Sequence, residues 1–294
     1  MFPDDQSARL ESPVMAEHAY FVVPVYNEEP NVARVLADLA HFQAIAMNRA
    51  RQTSLVFVDD GSSDRTVEML EAFGRPNLHI IRHATNRGPG AAFQSAFAYL
   101  LDRGLQPDDL VITLEGDATS DPVVFPRMLR RLDEGDDIVL ASPYLYGGGF
   151  AEVQGNRLVI SHLGNAMTKL LLNVRGLATF SCFFRIYRGR ALRAMARAYT
   201  PIVSSTGFEC AAELLMKAVR LQMPVSEVPF RVDWARRKGK SKMRVFRTSV
   251  GYFKLFLRFA GTKPRSVAPV LAPAAAELGT DPTTKASGGV SGLS

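Results

Sequence analysis

The 294-residue chain predicts an α/β fold: a doubly wound, mostly parallel sheet flanked by helices, with a helical and basic segment at its C-terminal end. Three observations predict it. Short apolar runs alternate with helical repeats at βαβ spacing between residues 20 and 141. Several of these runs stop abruptly on polar clusters, as open α/β sheets do at the carboxyl ends of their strands. A hydrophobic content of 47% against 22% charged residues is that of an ordinary globular core.

Residues 1–17 are polar and aperiodic, which predicts a flexible arm. Tyr20 to Val25 is the first buried strand, stopped by Tyr26-Asn27-Glu28-Glu29-Pro30, with Asn27 expected as the cap of the following helix. Val32, Val35, Leu36 and Leu39 then repeat at helical spacing. Leu55 to Val58 is a second strand ending in Asp59-Asp60-Gly61-Ser62-Ser63-Asp64, followed by a helix over Arg65–Phe73 and a third strand at Leu78–Ile81. Asn86-Arg87-Gly88-Pro89-Gly90 opens a helix from Ala91 to Leu101. The fourth strand starts at Leu110 and runs into Glu115-Gly116-Asp117. A helix to Leu132 and a strand over Ile138–Ala141 complete the alternation, whose crossovers should be right-handed. Gly147-Gly148-Gly149 then breaks the rhythm. A long helix over Asn156–Val174, an apolar segment Thr179–Tyr187, helices at Ala191–Ala198 and Phe208–Val219 and a strand at Val225–Val232 follow. Past Lys263 the composition predicts a disordered tail. The expected division is an arm over 1–17, one domain over 18–262 and a tail over 263–294.

Charge narrows the function classes. The net charge is +6, and Arg231 to Arg258 holds ten Lys or Arg against one acid, Asp233. That placement calls for an anionic surface or substrate near the C-terminal end. Cys182 and Cys210 have no metal-ligand spacing and fit a reducing compartment. The first residues lack the pattern of a signal peptide, and no apolar run is long enough to span a bilayer. Val245 to Ala260 mixes Phe246, Val250, Phe253 and Leu257 with Arg247, Lys254 and Arg258. That pattern suits a helix on a membrane surface or a core-packing helix.

The acids mark the site. In a parallel sheet Asn27-Glu28, Asp59-Asp60 and Glu115-Asp117 share one edge. Glu115 and Asp117 lie two apart, so in extended geometry they point the same way, and two oxygen ligands suit a divalent cation carrying a phosphate. The glycine turn at 86–90 could bring backbone N–H groups towards phosphate. It lacks the spacing of a dinucleotide fingerprint, and no Walker loop is present, so Rossmann dehydrogenase and P-loop hydrolase chemistry are disfavoured. Arg157, Ser161 and Asn165 fall on one helix face. On the residues alone they are equally an exposed polar stripe, Asp59 a helix-capping acid, Tyr26 a wall of the sheet edge, and Arg237, Lys240 and Lys242 a solvated charge run. None of the five histidines pairs with an acid by spacing.

Taken together, these stretches carry a resemblance. Val22-Val23-Pro24-Val25-Tyr26-Asn27-Glu28-Glu29 is similar to the opening motif of family 2 glycosyltransferases, and Val58-Asp59-Asp60-Gly61-Ser62-Ser63-Asp64-Arg65-Thr66 to their second. Asn86-Arg87-Gly88 fits the third, and Glu115-Gly116-Asp117 takes the place of their metal-binding D-x-D. Glu227-Val228-Pro229 followed by Arg237-Lys238-Gly239-Lys240-Ser241-Lys242 resembles the polyprenyl-phosphate, dolichyl-phosphate mannose synthase-like branch. The likeness spans about residues 19–260. Three places depart from the branch. Glu115 stands for an Asp, Ser181-Cys182-Phe183 for Thr-Ser-Gly, and Ala141-Ser142-Pro143-Tyr144 for Gly-Ser-Arg-Tyr.

The resemblance implies a GT-A fold and an inverting hexosyltransferase. A nucleotide-sugar donor, GDP- or UDP-hexose with mannose or glucose as the sugar, would react with a polyprenyl phosphate. It implies that Pro24, Tyr26, Glu28 and Asp60 hold the nucleoside, that Glu115 and Asp117 hold Mg²⁺ or Mn²⁺, and that Arg237, Lys240 and Lys242 close over the diphosphate. Arg157, Ser161 and Arg185, with Asp117, would serve the reaction itself, Arg157 and Ser161 gripping the acceptor phosphate. The protein would be cytoplasmic, peripheral on the cytoplasmic face of the membrane, with no nucleic-acid partner. Two alternatives stand beside this reading: a family 2 transferase with a non-lipid saccharide acceptor, and a non-catalytic nucleotide-sugar-binding protein.

Overall fold

The computed structural model describes residues 15–151, 176–239 and 245–259. Its elements run β1 (Ala16–Val25), α1 (Glu29–Ala46), β2 (Ala50–Asp59), α2 (Thr66–Ala72), β3 (Leu78–Arg82), α3 (Pro89–Asp102), β4 (Leu110–Thr113), a 3₁₀ turn (Pro122–Val124), α4 (Phe125–Asp133), β5 (Ile138–Ser142) and β6 (Gly149–Ala151). After residue 176 come β7 (Arg185–Arg188), α5 (Gly189–Ala198), α6 (Cys210–Arg220), β8 (Val225–Pro229), β9 (Arg231–Asp233), a 3₁₀ turn (Trp234–Arg236) and α7 (Val245–Phe259). The expected helix at 156–174 and the tail from 263 lie outside the described residues.

Seven strands form the main sheet in the order β3-β2-β1-β4-β7-β5-β8. All neighbours are parallel except β7, which is antiparallel to both β4 and β5. The apolar segment expected at Thr179–Tyr187 therefore divides: 176–184 is loop, and only Arg185–Arg188 is strand. The predicted strand Val225–Val232 divides as well, because Phe230 interrupts it and Arg231–Asp233 leaves the main sheet to pair with β6.

Strands buried on both faces are apolar throughout, and successive side chains feed opposite cores. Val22, Val56, Val58, Val111 and Leu140 pack under α3, α5, α6 and α7 through Phe93, Phe97, Leu192, Leu215 and Leu255. Their neighbours Phe21, Phe57, Ile112 and Val139 pack under α1 and α4, where the Phe42 and Phe125 rings meet edge-on at 5.1 Å. β1 begins at Ala16, four residues before the expected start, because Ala16 and Ala19 are buried and Ala16 pairs with Ala50. Asn27 is not the cap of α1. It stands at φ 52 outside the helix, and Glu28 takes the cap position.

The register sets the site. Thr113, the last residue of β4, lies beside Val22 on one side and Arg185 on the other. The carboxyl ends of β1, β2, β4 and β5 and the amino end of β7 consequently share one edge.

Candidate active site

β4 stops at Thr113, so Glu115 and Asp117 belong to the turn beyond it and the two-residue alternation of a strand does not govern them. They diverge. Glu115 Oε1 accepts the Phe183 N–H at 3.0 Å, and its Oε2 accepts the Ser120 hydroxyl. Burial pushes the Glu115 carboxyl up, opposed by the Ser120 bond and reinforced by the charge of Asp117. Both oxygens are thus hydrogen-bonded within the protein, and Glu115 braces two loops. Asp117 has different partners. Its Oδ1 accepts from Thr119 Oγ1 at 2.6 Å, while Oδ2 lies 3.1 Å from Arg237 Nη1. Gly116 is required by the neighbouring strand, since a Cβ there would stand 2.5 Å from the Pro24 carbonyl oxygen.

Asp59 and Asp60 also separate. Asp60 is buried, and it accepts the N–H of Arg87 at 3.0 Å and of Gly88 at 2.7 Å, with His83 Nδ1 2.7 Å from Oδ1. Asp60, expected at the nucleoside, is thus bonded to the 83–88 segment. Asp59 is buried as well, at 1% exposure; one of its oxygens accepts the Ser62 N–H at 3.0 Å, and the residue borders an open cleft of about 380 Å³ with Gly61, Ser62, Arg82, His83 and Ala84. Asp59, weighed as a capping acid, is the carboxylate at the cleft.

The glycine turn is likewise turned inward. Gly88 N–H goes to Asp60 and Gly90 N–H to the Thr206 carbonyl at 2.9 Å, so these amides do not point at a ligand. A Cβ at Gly90 would stand 1.9 Å from the Ser205 carbonyl oxygen. The glycines are there because the 204–206 backbone lies on them. That loop is held from below by Glu213, fully buried, which accepts the Ser205 N–H at 2.7 Å and pairs with Lys217 Nζ at 2.6 Å. Burial works to raise the Glu213 carboxyl, but the bonds from Lys217, Ser204 and Ser205 outweigh it and hold the group below its ordinary value.

Of the other expected site residues, Pro24 is the penultimate residue of β1, its carbonyl beside Gly116, and Tyr26 follows the end of that strand. Glu28 is buried, its Oε2 accepting from Asn31 Nδ2 at 2.6 Å. Arg185 is buried, and its guanidinium is bonded inside the protein. Its guanidinium donates to the carbonyls of Cys182 at 2.8 Å, Ala211 at 2.8 Å and Phe180 at 3.1 Å. Arg157, Ser161, Lys240 and Lys242 lie outside the described residues. Arg236, which the sequence reading passed over within a basic run, spans three acceptors, and Asn31 binds the backbone of Lys238. No arginine-specific signal in the sequence separates Arg236 from its neighbours.

The donor set tests the expected divalent ion. Mg²⁺ and Mn²⁺ sites of this class use one or two carboxylates and complete the shell with phosphate oxygens and water. Asp117 supplies one such carboxylate and already attracts a cation, Arg237. The residues present therefore fit a metal that arrives with a diphosphate. Among the described residues no cluster of three His, Cys, Asp or Glu side chains could hold a metal without one.

Comparison with known proteins identifies the family and the fold. Residues 20–195 match the model of the glycosyl transferase family 2. Polyprenol monophosphomannose synthase of Mycolicibacterium smegmatis is 28% identical over 225 residues, 76% of this chain and 79% of that one. Undecaprenyl-phosphate mannosyltransferase of Micrococcus luteus is 26% identical over 76% of this chain and 86% of its own. Undecaprenyl-phosphate 4-deoxy-4-formamido-L-arabinose transferase of Edwardsiella ictaluri is 29% identical over 59% of this chain and 50% of its own. Among solved structures, glucosyl-3-phosphoglycerate synthase of Mycobacterium tuberculosis, with Mn²⁺, UDP-glucose and glycerol 3-phosphate, superposes with a TM-score of 0.58 at 15% identity, over 90% of this chain and 87% of that one. A Pyrobaculum calidifontis mannosyltransferase with GDP-mannose and Mn²⁺ gives 0.54 at 16% identity, over 86% and 67%. These two share the GT-A fold with this chain.

Proposed function

The chain belongs to glycosyl transferase family 2, and from that premise we propose that it transfers a hexose, mannose or glucose, from a nucleotide-diphosphate sugar to a polyprenyl phosphate. One observation carries the acceptor. The relatives' names differ in the sugar, mannose in two and a formamido-arabinose in the third, and agree on a polyprenyl phosphate.

The residues divide the work along the edge. Asp59 would accept the N–H donors of the base in its cleft, with Pro24 and Tyr26 beside it. Asp117 would hold Mg²⁺ or Mn²⁺ together with the donor diphosphate. The ion's contribution, when bound, is to neutralise charge on the departing nucleoside diphosphate. Arg237 lies against the same oxygen and supplies a second positive charge, with Lys240 and Lys242 following it in the chain. Arg157 and Ser161 would present the acceptor phosphate. In the transfer, the bond from the anomeric carbon to the donor phosphate oxygen breaks with its electron pair on the leaving diphosphate. A bond to an oxygen of the acceptor phosphate forms on the opposite face. That oxygen is already ionised at neutral pH, so no protein base is needed.

A membrane surface as partner is supported by α7. Its exposed side carries Val250, Phe253 and Leu257, flanked by Lys254 and Arg258, and no acid occurs between Trp234 and Ala276. No described helix is long and apolar enough to cross a membrane. Peripheral attachment to the cytoplasmic face is the arrangement these features favour.

The test is a panel of labelled GDP-mannose, UDP-glucose and UDP-GlcNAc, each with polyprenyl phosphate, with and without Mn²⁺. One donor should label the lipid, only with acceptor and metal present. Label entering water-soluble saccharide alone would replace the lipid acceptor by the saccharide one. Binding without turnover on any acceptor would leave a nucleotide-sugar-binding protein.

A further inference from the structure

The segment Trp234–Gly239 lies across the edge that carries Asp117, and it is fastened at two points. Arg236 is the first. Its Nε donates to the Ala118 carbonyl at 3.0 Å, Nη1 to Asp121 Oδ2 at 3.1 Å and Nη2 to Asp38 Oδ2 at 2.6 Å. One guanidinium thereby joins the turn after β4 to α1. Asn31 is the second. Its Oδ1 accepts the Lys238 N–H at 2.8 Å and its Nδ2 donates to the Lys238 carbonyl at 3.0 Å. Asn31 is itself buried in α1 and bound to Glu28. Between the two fastenings sits Arg237, with Nη1 3.1 Å from Asp117 Oδ2 and both side chains mostly enclosed.

We propose that Arg236 is a positioning residue. With Asn31 it fixes the backbone on both sides of Arg237 so that this guanidinium rests on Asp117, and it is exchanged there for the metal when the donor diphosphate arrives. The inference rests on the function proposed above. Two cations compete for one carboxylate oxygen, so a metal ion alone must displace Arg237 and gains little. A metal carrying a diphosphate gives the displaced guanidinium a new anionic partner, to which an arginine can bond through two N–H groups. Metal and nucleotide are then coupled, and coupling between sites is reciprocal. A basic residue released without its fastenings would lose that exchange to solvent.

Two measurements that need no acceptor test it. Mn²⁺ binding is followed by electron paramagnetic resonance, alone and with GDP or UDP. Trp234, the chain's one tryptophan, lies in the fastened segment and reports its movement by fluorescence. In the parent, Mn²⁺ alone should bind weakly, and Mn²⁺ with the nucleoside diphosphate should bind at least about fivefold more tightly and shift Trp234 emission. Arg237→Gln should tighten Mn²⁺ alone by about fivefold and abolish most of the coupling. Arg236→Lys keeps the charge but cannot span three acceptors. It should shift Mn²⁺ alone in the same direction and leave Trp234 emission unresponsive to nucleotide. Asn31→Ala, which cuts the other fastening, should do likewise if Arg236→Lys does not fold. Parent-like Mn²⁺ affinity and coupling in Arg237→Gln would overturn the exchange, and a parent-like emission response in Arg236→Lys and Asn31→Ala would overturn the positioning role. Because no transfer is read, these results stand apart from the donor panel: a chain that fails to glycosylate lipid can still show the exchange, and the reverse.

Discussion

Glu115 accepts the Phe183 amide at 3.0 Å, joining the turn after β4 to the loop that enters β7. Glu115, expected to hold metal with Asp117, is in this way a tie between two loops of the sheet edge. Its length is what permits this, since the same group also receives Ser120. Glu115→Asp, one methylene shorter, cannot keep both bonds and should lose about 1–3 kcal/mol of stability without tightening Mn²⁺ binding. Glu115→Gln retains an acceptor for Phe183 and should stay within about 1 kcal/mol of the parent. Urea denaturation checks both.

Asp59 and Asp60 should separate in the opposite senses of binding and folding. Asp59→Asn keeps an oxygen for the Ser62 amide but turns a donor towards the cleft, so nucleotide affinity should fall by about tenfold or more with stability nearly unchanged. Asp60→Ala strands the amides of Arg87 and Gly88 and should cost about 2–4 kcal/mol. Calorimetric titration with GDP and UDP, beside thermal melts, distinguishes the two.

The Glu213–Lys217 pair predicts a pH dependence. The Glu213 carboxyl sits below its ordinary value of 4.5 in the folded chain. Its stabilisation is therefore present above pH 4.5 and is lost as pH falls through the lower folded value. Glu213→Gln should cost about 3 kcal/mol at pH 7, because Lys217 is left buried without its counter-ion. The gap to the parent should narrow on acidification. Replacing both, Glu213→Gln with Lys217→Met, should recover much of the loss. Denaturation midpoints at pH 7 and pH 4 measure it.

Phe253 is 57% and Leu257 58% exposed on α7. Glu at both positions should abolish binding to vesicles containing phosphatidylglycerol, measured by flotation. Activity on a short-chain, water-soluble acceptor phosphate should remain within about twofold, since the affected energy is that of partition into the bilayer interface. Raised salt should weaken parent binding, each Lys or Arg near an anionic surface contributing about 1 kcal/mol.

The alternation of strand and helix was legible because strands buried on both faces are continuous apolar runs, and the polar ends that stop them stand out. The direction of β7 was not legible, since composition carries no sign of whether a strand runs with or against its neighbours. The motif turns were located correctly, yet their side chains were assigned by kind and not by partner. Glu115, Asp60 and Arg185 are each satisfied by backbone groups distant in sequence, Phe183, Gly88 and Ala211 among them. Nothing near those residues in the chain announces the pairing. The glycine turn at 86–90 was read as bringing backbone N–H groups towards phosphate, whereas Gly88 and Gly90 face the Ser205–Thr206 backbone. Arg236 could be singled out only once Asp38 and Asp121 were brought to it.

The reversed β7 has a consequence for how such a chain can diversify. Because β5 ends and β7 begins on the same edge, the connection between them leaves and returns at one rim. Its described ends are tied down, β6 by pairing with β9 and Phe183 by Glu115. A change in length between Ala151 and Gly176 would leave those ties, the cleft at Asp59 and the carboxylate at Asp117, built on β2 and β4, where they are.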